Sequence, residues 1–323
     1  MNELQVGLLY AAATFLFMFS GMPIAFAVGG VALLFMVVFM PAAQIHIVAE
    51  TIYSELNNFT LLTIPLFIMM GAAIGKSRAG SDLYNSLNRW LHRVPGGLGV
   101  ANTLACSVFA AMCGSSPATC AAIGSSGIPE MRKRGYSNGL ATGIIGAGGT
   151  LGILIPPSLT MILYGLATEQ SIGKLFMGGV GPGILLTGMF SCYVMLAAWR
   201  ERRKAAGGSG HATSAALLAE ERYTWRERLA TLPRLLPFLL LILLVMAALY
   251  GGWATPSEVA GIGAFGALVL VVAVYGCWRW KDFKVILSGT ARESSMIMPM
   301  ISMIMLIIGM IMLDSRAVPE RIT

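Results

Sequence analysis

Two short stretches hold the residues able to do chemistry in a chain that has few others. One is Cys113-Gly114-Ser115-Ser116-Pro117-Ala118-Thr119, set inside residues 97–128, which carry no charge. The other is Gly146, Gly148, Gly149, Thr150 and Gly152, followed by Pro156-Pro157-Ser158. Proline lacks an N–H and pushes the residue before it out of the α region, so a helix should stop at each place. The stop leaves backbone carbonyls and hydroxyls free to coordinate something. Irregular backbone at membrane depth is tolerated only where protein buries it or it lines a watery cavity. A polar hairpin tip facing a broken helix is how secondary transporters build a midplane site for a small cation and an anionic substrate.

The elements that must position these residues follow from charge and length. The break at Gly-Ser-Ser-Pro leaves arms of roughly 97–112 and 117–128, each shorter than the ~20 residues that a helix needs to cross a bilayer. Arg89 and Arg93 precede the first arm; Arg132, Lys133 and Arg134 follow the second. A full crossing would put the two clusters on opposite faces, whereas a re-entrant hairpin puts both on the cytoplasmic face, as the positive-inside rule prefers. The expectation is a helical hairpin turning at Ser115-Ser116. Ser137 to about Ile155 reads as a helix that breaks at Pro156-Pro157-Ser158 before Leu159–Ala167 completes the crossing.

Composition supports this setting. The 323 residues are 56% hydrophobic and 11% charged, with mean hydropathy +0.75. Ordinary soluble domains carry about 25% charged residues, so the chain reads as an all-α polytopic membrane protein. Its net charge of +7 does not point to nucleic acid. Assigning loops by alternation puts 19 of the 22 Lys and Arg on one face, leaving Lys174, Arg316 and Arg321 on the other. That bias reports orientation. Five cysteines give no disulfide framework, and Cys106, Cys113 and Cys120, though seven apart, read as small packing residues. No nucleotide motif, metal cluster or catalytic triad appears, so no enzyme is expected.

Taken in order, Leu4–Phe19 and Ile24–Met40 are apolar runs joined at Gly21-Met22-Pro23, with the N-terminus placed outside. Residues 41–58, with His46, Glu50 and Glu55, form a polar outer loop. A third span runs from about Leu61 to Gly75. Ser81–Leu91 has apolar residues at 83, 84, 87, 90 and 91, the spacing of an amphipathic helix lying in the membrane interface. After the hairpin and the broken helix, Thr168–Gly179 is a short outer loop and Pro182–Trp199 crosses back. Residues 200–232 read as a cytoplasmic linker. Pro233–Tyr250, Val259–Cys277 and Ser294–Leu313 are further spans. The expected organisation is therefore 1–94 as first-repeat scaffold and arm helix, and 95–199 as a transport unit (hairpin 97–128, broken helix 137–167, span 182–199). The linker and then 233–323 as second-repeat scaffold complete it.

The two sides of the linker carry weak internal similarity. Pro23-Ile-Ala-Phe-Ala-Val-Gly-Gly and Pro256-Ser-Glu-Val-Ala-Gly-Ile-Gly each start a span, and Gly71-Ala-Ala-Ile-Gly-Lys-Ser-Arg-Ala matches Gly309-Met-Ile-Met-Leu-Asp-Ser-Arg-Ala. Opposite orientation of such pairs marks an inverted-repeat transporter. By that logic a second hairpin and a second broken helix, roughly 105–120 residues, are expected beyond Thr323.

An ordered series of short motifs resembles one family. It comprises Gly21-Met22-Pro23-Ile24-Ala25-Phe26-Ala27, Ile64-Pro65-Leu66-Phe67, Gly96-Gly97-Leu98 and Gly114-Ser115-Ser116-Pro117-Ala118. Lys133-Arg134-Gly135-Tyr136, Ile155-Pro156-Pro157-Ser158, Tyr164-Gly165, Leu175-Phe176 with Gly178-Gly179, and Thr255-Pro256-Ser257-Glu258 continue it. Together they resemble the large membrane subunit (DctM-like) of TRAP (tripartite ATP-independent periplasmic) transporters. The resemblance implies a Na⁺-coupled, elevator-type importer of an organic acid such as a C4-dicarboxylate, in the bacterial inner membrane and without an organic cofactor. It also implies a small four-helix membrane subunit and a periplasmic substrate-binding protein as partners. Carried over residue by residue, Ser115, Ser116, Pro117 and Thr119 fall at the hairpin tip. Gly149, Thr150, Gly152, Ile155, Pro156, Pro157 and Ser158 fall at the helix break. The candidate Na⁺ contacts are Ser115, Ser116, Thr119, Gly149, Thr150, Gly152, Ile155 and Pro156, partly through carbonyls. The candidate substrate contacts are Ser115, Ser116, Pro117, Thr119, Thr150, Pro157 and Ser158. Many relatives have an acidic residue where Thr119 stands.

Other readings stand beside these. A Ser or Thr in a membrane helix is usually bonded to its own i−4 carbonyl or packed at a helix contact. Glu258 fits a first-turn charge complementing a helix dipole as well as a family position. At the level of function, the alternatives are an anion symporter of related architecture that needs no binding protein, and a membrane scaffold subunit without transport of its own.

Overall fold

The computed structural model describes residues 3–22, 24–39, 50, 53–54, 57–91, 94, 96–207, 224–229 and 231–317. Among them every regular element is helical. In chain order these are α1 (Glu3–Phe19), α2 (Ile24–Phe39), a 3₁₀ turn (Phe59–Leu62), α3 (Thr63–Lys76), α4 (Ala79–Leu91), α5 (Gly97–Cys113) and α6 (Ser116–Lys133). There follow α7 (Asn138–Leu154), α8 (Leu159–Ala167), α9 (Ile172–Gly207), α10 (Trp225–Leu229), α11 (Leu232–Tyr250), α12 (Pro256–Tyr275) and α13 (Trp280–Ala317). Four described stretches are long and apolar enough to cross a membrane: Phe59–Lys76, Asn138–Ala167, Ile172–Arg200 and Pro256–Tyr275. The chain is a polytopic helical membrane protein. His46 in the expected outer loop, and 208–223 in the expected linker, lie outside the described residues.

The chain divides into two units. One comprises residues 1–62, 166–169 and 291–323. Here α1 lies along α2, and Tyr10 meets Phe35 edge-on with ring centroids 5.1 Å apart. The other comprises residues 63–165 and 170–290 and holds every residue expected at the hairpin tip and the helix break.

In this second unit α5 and α6 form an antiparallel hairpin, with Asn102 of α5 against Gly127 of α6. Small residues let the legs approach closely, as helices do in membranes. Helix α4 packs on both legs. Its Gly80 faces Phe109 and Ala122, and its Leu83 and Tyr84 are buried. The start of the apolar face is thus buried, while Trp90 near its end is exposed. The polar side of α4 is tied to the later helices. Asp82 accepts a hydrogen bond from Tyr275 Oη at 3.0 Å, the hydroxyls of Ser86 and Thr231 lie 3.0 Å apart, and Arg89 donates to Glu227 O at 3.0 Å.

Several boundaries differ from the sequence expectation, among them residues 200–207 of the expected linker, which continue α9. Helix α6 continues through Pro129 to Lys133 instead of ending near 128. Helix α9 is continuous from Ile172 and carries Pro182 inside it, so the expected loop 168–179 shrinks to residues 168–171 and the span does not begin at 182. Helix α13 starts at Trp280, fourteen residues before the expected Ser294. One proline forfeits one helical bond and kinks a helix without ending it, a defect that packed membrane helices accommodate. Charged residues in 281–293 do not break a helix whose Phe283, Ile286 and Leu287 keep helical spacing.

Candidate functional site

Helix α5 stops because Gly114 adopts the left-handed conformation, φ 61° and ψ 14°, which costs a side-chain-bearing residue strain. Its N–H donates to Ala110 O at 2.8 Å, a helix-terminating glycine bond. Ser115 is extended (φ −130°, ψ 122°), and α6 begins at Ser116 with Pro117 in its first turn, where a missing N–H is harmless. Ser115 O gathers the tip together. It accepts from Thr119 N at 3.0 Å, from Thr119 Oγ1 at 2.8 Å and from Cys113 Sγ at 3.5 Å. Thr119 is completely buried. Ser116 Oγ is buried without any hydrogen-bond partner.

Ser137 caps α7 by accepting from Leu140 N at 3.3 Å. The helix ends at Leu154 because Pro156 and Pro157 cannot supply the N–H groups that Gly152 O and Ile153 O would use four residues on. The Pro156-Pro157 peptide is cis. Ile153 O recovers two donors, Ser158 Oγ at 2.6 Å and Thr160 Oγ1 at 3.3 Å. Gly152 O has lost its helical donor to Pro156. When α8 resumes, Leu159 N donates to Gly114 O at 3.2 Å. Hairpin tip and helix break therefore share a backbone hydrogen bond.

Glycine makes this closeness possible. A Cβ on Gly114 would lie 2.5 Å from Pro157 O, and one on Gly152 would lie 2.9 Å from Ser115 C and from Ser116 N. On Gly149 it would collide with Cys120 Sγ, and on Gly71 of α3 it would stand 2.6 Å from Cys113 O. A Cβ that close to main-chain atoms is essentially never found in folded proteins, so Gly71, Gly114 and Gly152 are required at these contacts.

The structure brings Ser115, Ser116, Gly149, Gly152 and Pro157 together. Thr119 lies beneath them with its hydroxyl bonded to Ser115 O. Pro156 and Ser158 are buried at the break, the Ser158 hydroxyl being used by Ile153 O. Pro117 is exposed, and Ile155 turns to α9, where Gly183 makes room for it. Thr150 is not brought in. It is exposed, and its hydroxyl returns to Ala147 O at 2.7 Å, on a different side of α7 from 149 and 152. Gly71 and Gly114 carry the geometry and were absent from the candidate contacts. The signal for Gly114 was available, since a glycine directly after an apolar helix marks its C-terminus. The three cysteines are free thiols whose contacts are with packed helices. Among the described residues no group of His, Cys, Asp and Glu could hold a metal ion. Glu258 closes a capping box. It accepts from Thr255 N at 2.7 Å, and its own N–H donates to Thr255 Oγ1 at 3.4 Å.

A hairpin with a polar tip, bonded to a proline-broken helix and accompanied by membrane-crossing helices, defines a polytopic membrane protein of the discontinuous-helix type. Residues 11–322 match the DctM component of the tripartite ATP-independent periplasmic transporters, and the chain belongs to that family. It is 35% identical over 291 residues to the isethionate TRAP transporter permease protein DctMQ of Oleidesulfovibrio alaskensis, covering 89% of this chain and 43% of that protein. It is 35% identical over 259 residues to the C4-dicarboxylate TRAP transporter large permease protein DctM of Pseudomonas aeruginosa, covering 80% and 57%. To the protein of the same description from Rhodobacter capsulatus it is 32% identical over 299 residues, covering 88% and 64%. The chain thus spans about half the length of these relatives, which are transporter permeases and not enzymes.

Proposed function

We propose that this chain is the substrate-carrying part of a Na⁺-coupled importer of a small organic acid in the bacterial inner membrane, with its N-terminus periplasmic. One observation carries the reading. Ser116 has a buried, unpartnered Oγ, and its main chain lies against Gly152, whose carbonyl lacks its helical donor. A buried polar group without a partner costs about 1–3 kcal/mol, and an entering Na⁺ removes that cost by taking hydroxyl and carbonyl oxygens as ligands. Ser115 and the carbonyls of Gly149 and Ile155 are the further contacts available around the break. The first turn of α6 offers the N–H of Ser116 and of Ala118, at the positive end of the helix dipole, to a carboxylate or sulfonate. Thr119 and Ser158 hold the tip and the break in shape.

The relatives named for isethionate and for C4-dicarboxylates support a small organic anion as cargo. In this reading a periplasmic binding protein delivers the anion, a small four-helix subunit steadies the complex, and the hairpin travels with the broken helix in an elevator motion within an inverted repeat. The test is Na⁺-dependent uptake of isethionate or a C4-dicarboxylate into proteoliposomes holding the transporter assembled around this chain, with its binding protein supplied. Ser116→Ala is expected to raise the half-saturating Na⁺ concentration about tenfold, the equivalent of one charge-assisted contact. Uptake with unchanged Na⁺ dependence sinks the assignment.

A further inference from the structure

A groove of about 390 Å³ lies between the first half of α7 and the later part of α9, with Thr103 of α5 behind it. Leu140, Ile144 and Ala147 form one wall and Phe190, Tyr193 and Ala197 the other. Gly139 and Gly143 widen it, since a Cβ on either would meet nothing within 4 Å.

The two helices run antiparallel. Gly183 meets Ile155 at the end near the break, while Val194 and Ala198 meet Gly99 and Gly96 at the other. Ser137 and Ala197 therefore share one mouth of the groove. Arg200 lies there too. It is exposed and stands three residues past Ala197, which puts it on the same face of α9. Glu201, Arg202, Arg203 and Lys204 follow in sequence, a run that is basic on balance, and the positive end of the α7 dipole opens at the same mouth. Exposed Tyr193 and Trp199 are the amphipathic aromatics found at the level of lipid headgroups. The groove is mostly apolar, and the cationic residues lie at one end of it.

Its dimensions decide among occupants. From Gly139 to Ala147 the wall is about 12 Å long at 1.5 Å per residue, so the volume corresponds to a section of roughly 30 Å². A helix about 10–12 Å across needs roughly 80–110 Å². A hydrocarbon chain can sink into the slot along its length, whereas a helix could only lie across it.

We propose that this groove holds one acyl chain of an anionic phospholipid, with the phosphate seated by Arg200 and the first turn of α7. The site is separate from the hairpin tip and stands whatever the transported solute proves to be.

Native mass spectrometry of the purified, delipidated chain tests it, with dioleoyl-phosphatidylglycerol and dioleoyl-phosphatidylcholine as the two probes. The expected result is one phosphatidylglycerol retained per chain, about fivefold or more in preference to phosphatidylcholine, as one interfacial arginine provides. Gly143→Leu fills open space and replaces a helical glycine, so it should abolish retention without lowering the melting temperature. The exposed Arg200→Gln should bring phosphatidylglycerol down to the phosphatidylcholine level, and glycerol phosphate should compete with neither lipid. Equal binding of the two lipids overturns the headgroup assignment, and so does preference surviving in Arg200→Gln. Retention unaffected by Gly143→Leu overturns the groove, and displacement by glycerol phosphate points to a simple phosphate site instead.

Discussion

Gly152→Ala, compared with Gly146→Ala on the same helix, isolates the contact between hairpin tip and broken helix. Both substitutions remove a glycine from the interior of α7, and each gains about 0.5–1 kcal/mol from the lower backbone entropy of alanine. At Gly146 nothing lies within 4 Å of the added carbon, so that gain should appear in full. At Gly152 the new carbon falls 2.9 Å from Ser115 C and Ser116 N and 3.1 Å from Ser116 Cα. These are main-chain atoms, which cannot swing aside as a side chain can. Overpacking of this kind costs about 1–3 kcal/mol, and the two variants should differ by that amount because the propensity gain cancels between them. Thermal unfolding of the purified protein in detergent, followed by tryptophan fluorescence at one fixed scan rate, reads the difference. Gly146→Ala should melt above the parent chain and Gly152→Ala below Gly146→Ala. Midpoints that rise together would refute the close approach of α7 to the tip.

Further outcomes follow from other contacts. Gly149→Ala should destabilise by about 1–3 kcal/mol, and most of the loss should return when Cys120→Ala is added, a coupling that a double-mutant melting cycle measures. Tyr275→Phe removes the donor to Asp82 and should cost about 1.5–3 kcal/mol, as hydrogen bonds to charged groups do; an unchanged melting curve would show that α4 is not held through that bond. Thr150→Ala should leave the Na⁺ dependence of uptake within about twofold of the parent, since its hydroxyl serves only its own helix, whereas Ser116→Ala should not. Gly114→Ala combines a left-handed φ, worth roughly 1–2 kcal/mol, with a collision against Pro157 O. It should be the most damaging single methyl at the tip, checked by the same melts.

Much of this architecture could be read from residue order, and the exceptions have physical reasons. The stops at Ser116-Pro117 and at Pro156-Pro157 were legible because each joins a proline to a second device. At the tip that device is a left-handed glycine; at the break it is a second consecutive proline that removes another donor. Pro129 has no such companion, and Pro182 has a glycine on each side but neither takes a left-handed φ; both helices continue. The direction of Thr150 was not legible. Neighbours on a helix are about 100° apart, so position 150 faces away from 149 and 152 although all three adjoin in sequence. The role of α4 was half legible: its amphipathic spacing was plain, but the same pattern suits a lipid interface and a protein face alike. Deciding for the hairpin needed the contact of Gly80 with Phe109 and Ala122.

The bond from Leu159 N to Gly114 O joins two segments through atoms that every residue type at those positions carries, except a proline at 159. With glycine at 114 and 152 allowing the approach, registry between tip and break does not depend on the side chains at 115, 116 and 118. Substitutions at 115, 116 or 118 can change the polar surface of the tip without unfastening it from the break. Under the proposed function, a permease built this way changes its cargo by point substitution while the framework that carries the cargo stays as it was.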